Sequence, residues 1–149
     1  MPLATKIYVT RLLLAAGLGA ALGLEREYHQ KPAGLRTNML IAMGSALFTM
    51  VSIEFAHGNG ASDRVAAQIV TGIGFLGAGA ILRGTRGNPS VHGLTTAATI
   101  WVNAAIGMAV GVGLQAVAMA TAAVTLVILA VVRPFERYFE ERAGDSNKD

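Results

Sequence analysis

Between Arg64 and Phe135 the chain carries no aspartate and no glutamate. Soluble domains devote about a quarter of their residues to charge, and a surface facing water needs both signs interspersed. An acid-free run of this length cannot supply such a surface. Across all 149 residues only 14% are charged and 53% are hydrophobic, with a mean hydropathy of +0.51. The solvent that fits this chain is a lipid bilayer.

A hydrocarbon core of about 30 Å is crossed by roughly 20 apolar helical residues. Residues 12–24 are uncharged and extend back to about residue 7 if Arg11 snorkels to the headgroups along its aliphatic stem. Residues 37–53 lie between Arg36 and Glu54, and residues 65–82 between Arg64 and Arg83. Residues 87–132 hold His92 as their one ionisable group, and 46 residues are far too many for one crossing. Their middle, "GMAVGVGLQ" at 107–115, has three glycines and a glutamine and is the expected turn. The expected fold is therefore all-α and polytopic, with five transmembrane helices at 7–24, 37–54, 64–82, 94–110 and 115–133. These form one domain over residues 1–133, followed by a tail over 134–149. Phe135, Tyr138 and Phe139 recur at helical spacing in that tail. It is either an amphipathic helix at the interface or a solvated extension of the fifth span.

Lysine and arginine orient such a bundle, since they accumulate on the cytoplasmic side. Arg26, Lys31, Arg36, Arg83, Arg86, Arg133, Arg137, Arg142 and Lys148 fall on one side, and Lys6, Arg11 and Arg64 on the other. The N-terminus is expected outside and the C-terminus in the cytoplasm. The net charge of +3 is scattered between apolar runs, unlike the gathered footprint of a nucleic-acid binder, so nucleic acid is not an expected partner.

The third span contains "TGIGFLGAGAILRG", a match to G-x-G-x-x-G at Gly72, Gly74 and Gly77. A dinucleotide site also needs an acidic residue about 20 positions on, and the acid-free run denies it one. The glycines serve helix packing instead. In lipid, small residues let helix backbones approach. Gly72 and Gly79 fall on one face, and Gly74, Gly77 and Ala78 on the other, so this span is expected to be the central helix. A sharper alternative is that they let the helix break around a ligand. An internal echo joins "GLRTNMLIAMGSALFTMVSI" from Gly34 to "GLTTAATIWVNAAIGMAVGV" from Gly93, with six of twenty positions identical at an offset of 59. Spans one and two are thereby echoed by three and four as a parallel two-helix repeat, with Thr37, or Thr95 and Thr96, capping the helix starts.

Charges at membrane depth are functional candidates. Glu25, Arg26 and Glu27 close the first span, either as an exposed interfacial cluster or with Glu25 paired to Arg36 or Arg83. Asp63, with Ser62, is an N-cap of span three or draws a cation from outside, next to Arg64. Asn38, Gln68 and Asn103 are expected to be buried bridges between helices. His29, His57 and His92 lie in three different loops. Glu25, Glu27, Glu54 and Asp63 offer thin material for a magnesium site, so no cofactor is expected, Mg2+ remaining open. No serine sits in a nucleophile elbow and there is no cysteine. An enzyme is not expected.

Three blocks, "GLEREYHQKPAGLRTNMLIAMGSALFTMVS", "RVAAQIVTGIGFLGAGAILR" and "HGLTTAATIWVNAAIGMAVG", resemble the signature blocks of the MgtC/SapB family of bacterial inner-membrane proteins. The family pattern falls on Gly23, Glu25, Arg26, Gly34, Leu35, Arg36 and Thr37, then on Arg64, Gln68, Gly72, Gly74, Gly77, Gly79 and Ala80. In the third block it falls on Gly93, Leu94, Thr95, Thr96 and Trp101. The resemblance implies a five-helix inner-membrane domain and an association with growth under magnesium limitation. It also implies, in the MgtC branch, a soluble C-terminal domain resembling an ACT fold; the chain looks like the shorter, SapB-like form without it. The expected role is non-enzymatic modulation of a membrane partner, with homo-oligomerisation. The alternative is a transporter or channel for Mg2+ or another small ion.

Overall fold

A computed structural model describes residues 3–56, 62–84 and 93–145, with side chains over 5–56, 64–81 and 93–132. All five expected helices are present: α1 (Leu3–Tyr28), α2 (Leu35–Ala56), α3 (Ser62–Gly84), α4 (Leu94–Val112) and α5 (Gln115–Asp145). Each contains a stretch long and apolar enough to cross a membrane, and the described residues include no strand. The fifth helix runs on without a break into the tail. Of the two expectations for that segment, the backbone is the helical extension.

The side chains are distributed for oil. Phe75 is 81% exposed and Leu13 68%, whereas Asn38 and Asn103 are 0% exposed. Large apolar groups point outward, and the interior is built from alanine, glycine, serine, threonine and asparagine with a few larger aliphatics. Hydrophobicity cannot drive helices together in lipid, so close backbone approach and interhelical hydrogen bonds must do it.

Small residues four apart provide that approach on successive helices. Gly19 and Gly23 of α1 lie against α2, where an added Cβ would strike the Asn38 carbonyl or the Leu35 backbone. Gly107 and Gly111 of α4 lie against the Ala42 and Ala46 carbonyls of α2. Ala118 and Ala122 bring α5 into the same buried cluster. The α2–α4 pairs Asn38–Asn103, Ala42–Gly107 and Ala46–Gly111 share one separation of 65 positions, so these two helices run parallel and in contact. Antiparallel α1 and α3 flank them.

The central helix is α4, which touches all four others, while among the described residues α3 touches only α2 and α4. This overturns the expectation for the third span. Within the chain, a Cβ at Gly72, Gly74 or Gly79 would meet nothing within 4 Å, and Ala78 is exposed. Gly77 alone of that set packs, against Ala97. Conversely, most of the expected turn at 107–115 is helix: α4 continues to Val112, and the chain reverses at Gly113, whose φ of 106° lies in the left-handed region. Helical phase revealed which glycines share a face, but it carried no information about which face meets a neighbour.

The repeat is partly visible in the packing. Subtracting the offset of 59 places Gly77 and Ala97 at positions 18 and 38, one residue from the Gly19–Asn38 contact of the first hairpin. The α2–α4 contact register differs from the repeat offset by six residues (65 against 59), so the two hairpins are shifted along the bundle axis.

Candidate functional site

Polar side chains gather along the contact between α2 and α4. On α2, Asn38, Ser45, Thr49 and Ser52 are buried, and on α4, Thr96, Thr99 and Asn103. Their spacings of three, four and seven place each set on one helix face. Because α2 and α4 are parallel, the two sets meet where Asn38 faces Asn103, and the polar row, a seam, runs on through Thr99 and Thr96 toward one end and through Ser45, Thr49 and Ser52 toward the other. Asn103 Nδ2 ties the helices together, donating to the Asn38 carbonyl at 2.7 Å and to Asn38 Oδ1 at 3.1 Å. Asn38 Nδ2 in turn donates to the carbonyls of Ala33 and Gly34, fixing the entry to α2. Thr49 and Thr99 return their hydroxyls to carbonyls one turn back, those of Ser45 and Thr95. Asn103 Oδ1 and Ser52 Oγ are buried in the seam with no hydrogen-bond partner among the described residues.

At one end, the seam adjoins a charged cluster at the close of α1. Arg26 Nε donates to Glu25 Oε2, with the two side chains 4% and 12% exposed. His29 Nδ1 lies 2.9 Å from Glu25 Oε1. Glu27 Oε2 accepts the Leu35 backbone N–H at 2.8 Å, so a carboxylate on α1 takes up one of the donors that a helix start leaves unsatisfied. Gly23 permits the approach, since a Cβ added there would strike the Leu35 backbone and Asn38.

Several expected roles differ. Glu25 and Arg26 are not exposed; both side chains are largely withdrawn and paired to each other. Arg36 is exposed. Arg11 does not snorkel: its Nη1 donates to the Gly111 carbonyl at 2.8 Å, joining α1 to the C-terminal end of α4, where a cation is favoured. Gln68 is exposed and no core bridge; it lines an open groove between α3 and α2. Thr95 and Thr96 do not cap α4. Its N-cap is Gly93 in the left-handed region with no side-chain cap, leaving Thr95 exposed and Thr96 buried in the seam. Thr37 is likewise inside its helix and exposed. Arg64 is exposed at the start of α3. Asp63 and Arg83 belong to α3 by their backbone, but their side chains lie outside the described residues, as do His57 and His92. Sequence reasoning missed Gly19, Gly107, Gly111, Ser45, Thr49, Ser52 and Thr99; it named Gly23 only in the family pattern and Thr96 as a helix cap. The signal was present as paired G-x-x-x-G spacings at 19–23 and 107–111.

Among the described residues, no three histidine, cysteine or acidic side chains are grouped to hold a metal. The arrangement is chemically a rack of hydroxyl and amide groups inside an apolar bundle. Removing one member should register directly: Asn103→Ala is expected to cost about 0.6–2 kcal/mol. A thermal melt in detergent, compared with Asn38→Ala and the double variant, would read the coupling.

Five apolar helices around a polar seam define a multi-pass membrane protein of the helical-bundle class. The chain matches the model of the MgtC family over residues 12–138, and it belongs to that family. It is 46% identical over 134 residues to the protein of Escherichia coli strain K12 named "Putative magnesium transporter YhiD", covering 85% of this chain and 61% of that one. It is 45% identical over 138 residues to protein SrpB of Synechococcus elongatus, covering 85% of this chain and 75% of the relative. With protein MgtC of Brucella abortus it shares 43% identity over 126 residues, 85% of this chain and 51% of the relative. The chain thus spans between about half and three quarters of the length of these relatives. No solved structure matches it.

Proposed function

We infer that this protein is a non-enzymatic component of the bacterial inner membrane, its N-terminus outside and its C-terminus cytoplasmic. It serves growth under magnesium limitation by modulating a membrane partner through helix contacts. The observation behind this reading is the outer face of α3. Ala67, Thr71, Gly74 and Ala78 follow one another at spacings of four and three, and all are exposed. Elsewhere in the bundle, small residues at such spacing lie against a helix; here the same device faces outward. A photocrosslinker at Thr71 is expected to yield an adduct that Gly74→Leu abolishes, and that variant should fail to support growth at low magnesium while melting like the wild type. An adduct of twice the chain mass would make the partner a second copy. Growth and adduct both surviving Gly74→Leu would end the proposal.

A second reading, passage of Mg2+ or another small ion, draws support from the seam and from the printed name of the Escherichia coli relative. Purified protein in liposomes should then carry the ion, with flux reduced by Glu25→Ala. Absence of flux with the wild type removes it.

A further inference from the structure

Between α2 and α3 the outer surface opens into a groove of about 600 Å³. Its floor is formed where Gly44 and Gly72 meet open space, and its walls include Leu40, Phe48, Gln68 and Leu76. The two helices are antiparallel here, so Phe48 and Val65 mark one end and Thr37 and Leu76 the other. The eleven residue steps from Thr37 to Phe48 correspond to about 16 Å at ~1.5 Å per step. That is close to half of the roughly 30 Å hydrocarbon core, the depth of a single leaflet.

Each end carries an exposed arginine next to a helix start, Arg36 beside Thr37 on α2 and Arg64 beside Val65 on α3, but the ends differ in closure. Beyond Leu76, α3 continues to Gly84 and closes onto α4 through Gly77. At the Val65 end the groove reaches the start of α3 within three residues. There Arg64, one residue before the lining Val65 and four before the lining Gln68, is exposed. A helix N-terminus adds partial positive charge at that mouth. Glu54, the acid on the neighbouring end of α2, is turned toward α1, where it accepts the Tyr8 hydroxyl.

We propose that this groove is a binding site for one anionic phospholipid of the leaflet at the Arg64 end. One acyl chain lies over Gly44 and Gly72, and the headgroup phosphate meets the Arg64 guanidinium. An apolar trough of leaflet depth with an exposed arginine at its mouth, adjoined in sequence by Asp63, matches a chain joined to a phosphate. Arginine suits that phosphate because its planar fork donates two parallel N–H bonds. The site is separate from the small-residue face of α3 that carries Gly74.

Native mass spectrometry of the delipidated protein, titrated with phosphatidylglycerol and with phosphatidylcholine, tests this. The wild type is expected to retain one phosphatidylglycerol. Arg64→Gln should weaken retention by about tenfold, the scale of one charge-assisted bond. Gly72→Leu starts its side chain where an added Cβ meets nothing within 4 Å, extends it into the trough, and should abolish retention at an unchanged melting temperature. Gly74→Leu and Arg36→Gln should leave it intact. Equal retention of both lipids irrespective of Arg64, dependence on Arg36 in place of Arg64, or undiminished binding by Gly72→Leu would each overturn the proposal. So would a dimer of the wild type that Gly72→Leu splits, because a second copy would then be the occupant.

Discussion

Gly107→Ala is expected to be among the most damaging single-methyl changes available in this chain. The new Cβ would overlap the Ala42 carbonyl oxygen and lie 2.9 Å from its carbonyl carbon. Neither atom can swing aside as a side chain would. The parallel helices α2 and α4 must separate, which stretches the Asn103–Asn38 bond one turn away and loosens the neighbouring Ala46–Gly111 contact. Overpacking of a close contact costs about 1–3 kcal/mol, and the melting temperature in detergent should fall by roughly 5 °C or more. Gly72→Ala is the internal control. It adds the same methyl to the same kind of residue where nothing lies within 4 Å, and replacing an exposed helical glycine by alanine should be neutral or slightly stabilising. If the two variants melt alike, the close approach of α2 and α4 is not what holds the bundle.

That contrast marks what the sequence conveys. The five spans were legible because bilayer thickness imposes a length and forbids charge, and both constraints act on each segment alone. Their observed ends at Ala56, Gly84 and Val112 fall close to the expected ones. Family membership was legible from three contiguous blocks. What was hidden depends on which helix meets which. Gly74 and Gly107 are alike in local sequence terms, each a glycine in an apolar helix. Only the assembled bundle places Ala42 beside one and open lipid beside the other. Arg11 shows the same limit. From sequence its nearest polar relief is the headgroup layer, yet it binds Gly111, 100 positions away.

The candidate site was legible in its residues rather than in its arrangement. Asn38 and Asn103 stand out in any reading as amides at membrane depth, and they meet. Gln68 has the same chemistry but lies on the face of α3 away from the core. Ser45, Thr49 and Ser52 gave no signal, because a hydroxyl can satisfy itself one turn back on its own helix, as Thr49 does, and so hydroxyls occur in many surroundings. Their alignment into a seam follows from the parallel register of α2 and α4, a property of the pair.

Arg26→Leu is expected to be as severe as the glycine substitution, for an electrostatic reason. Arg26 and Glu25 form an ion pair whose side chains are 4% and 12% exposed. Leucine retains much of the bulk but removes the guanidinium, leaving a nearly buried carboxylate that lacks its closest cation. Breaking a buried pair from one side typically costs about 3–5 kcal/mol, because the abandoned charge keeps its desolvation penalty. His29 Nδ1 stays beside Glu25 Oε1 in this variant, but it does not replace the guanidinium. The decisive comparison is the double variant Glu25→Gln with Arg26→Leu, which removes both charges. Since replacing both partners of a buried pair is often close to neutral, the double variant should recover much of the lost melting temperature. Recovery would mean that the stranded charge, and not lost packing at position 26, causes the damage. A double variant as unstable as Arg26→Leu alone would mean that the arginine stem is the feature holding the ends of α1 and α2 together.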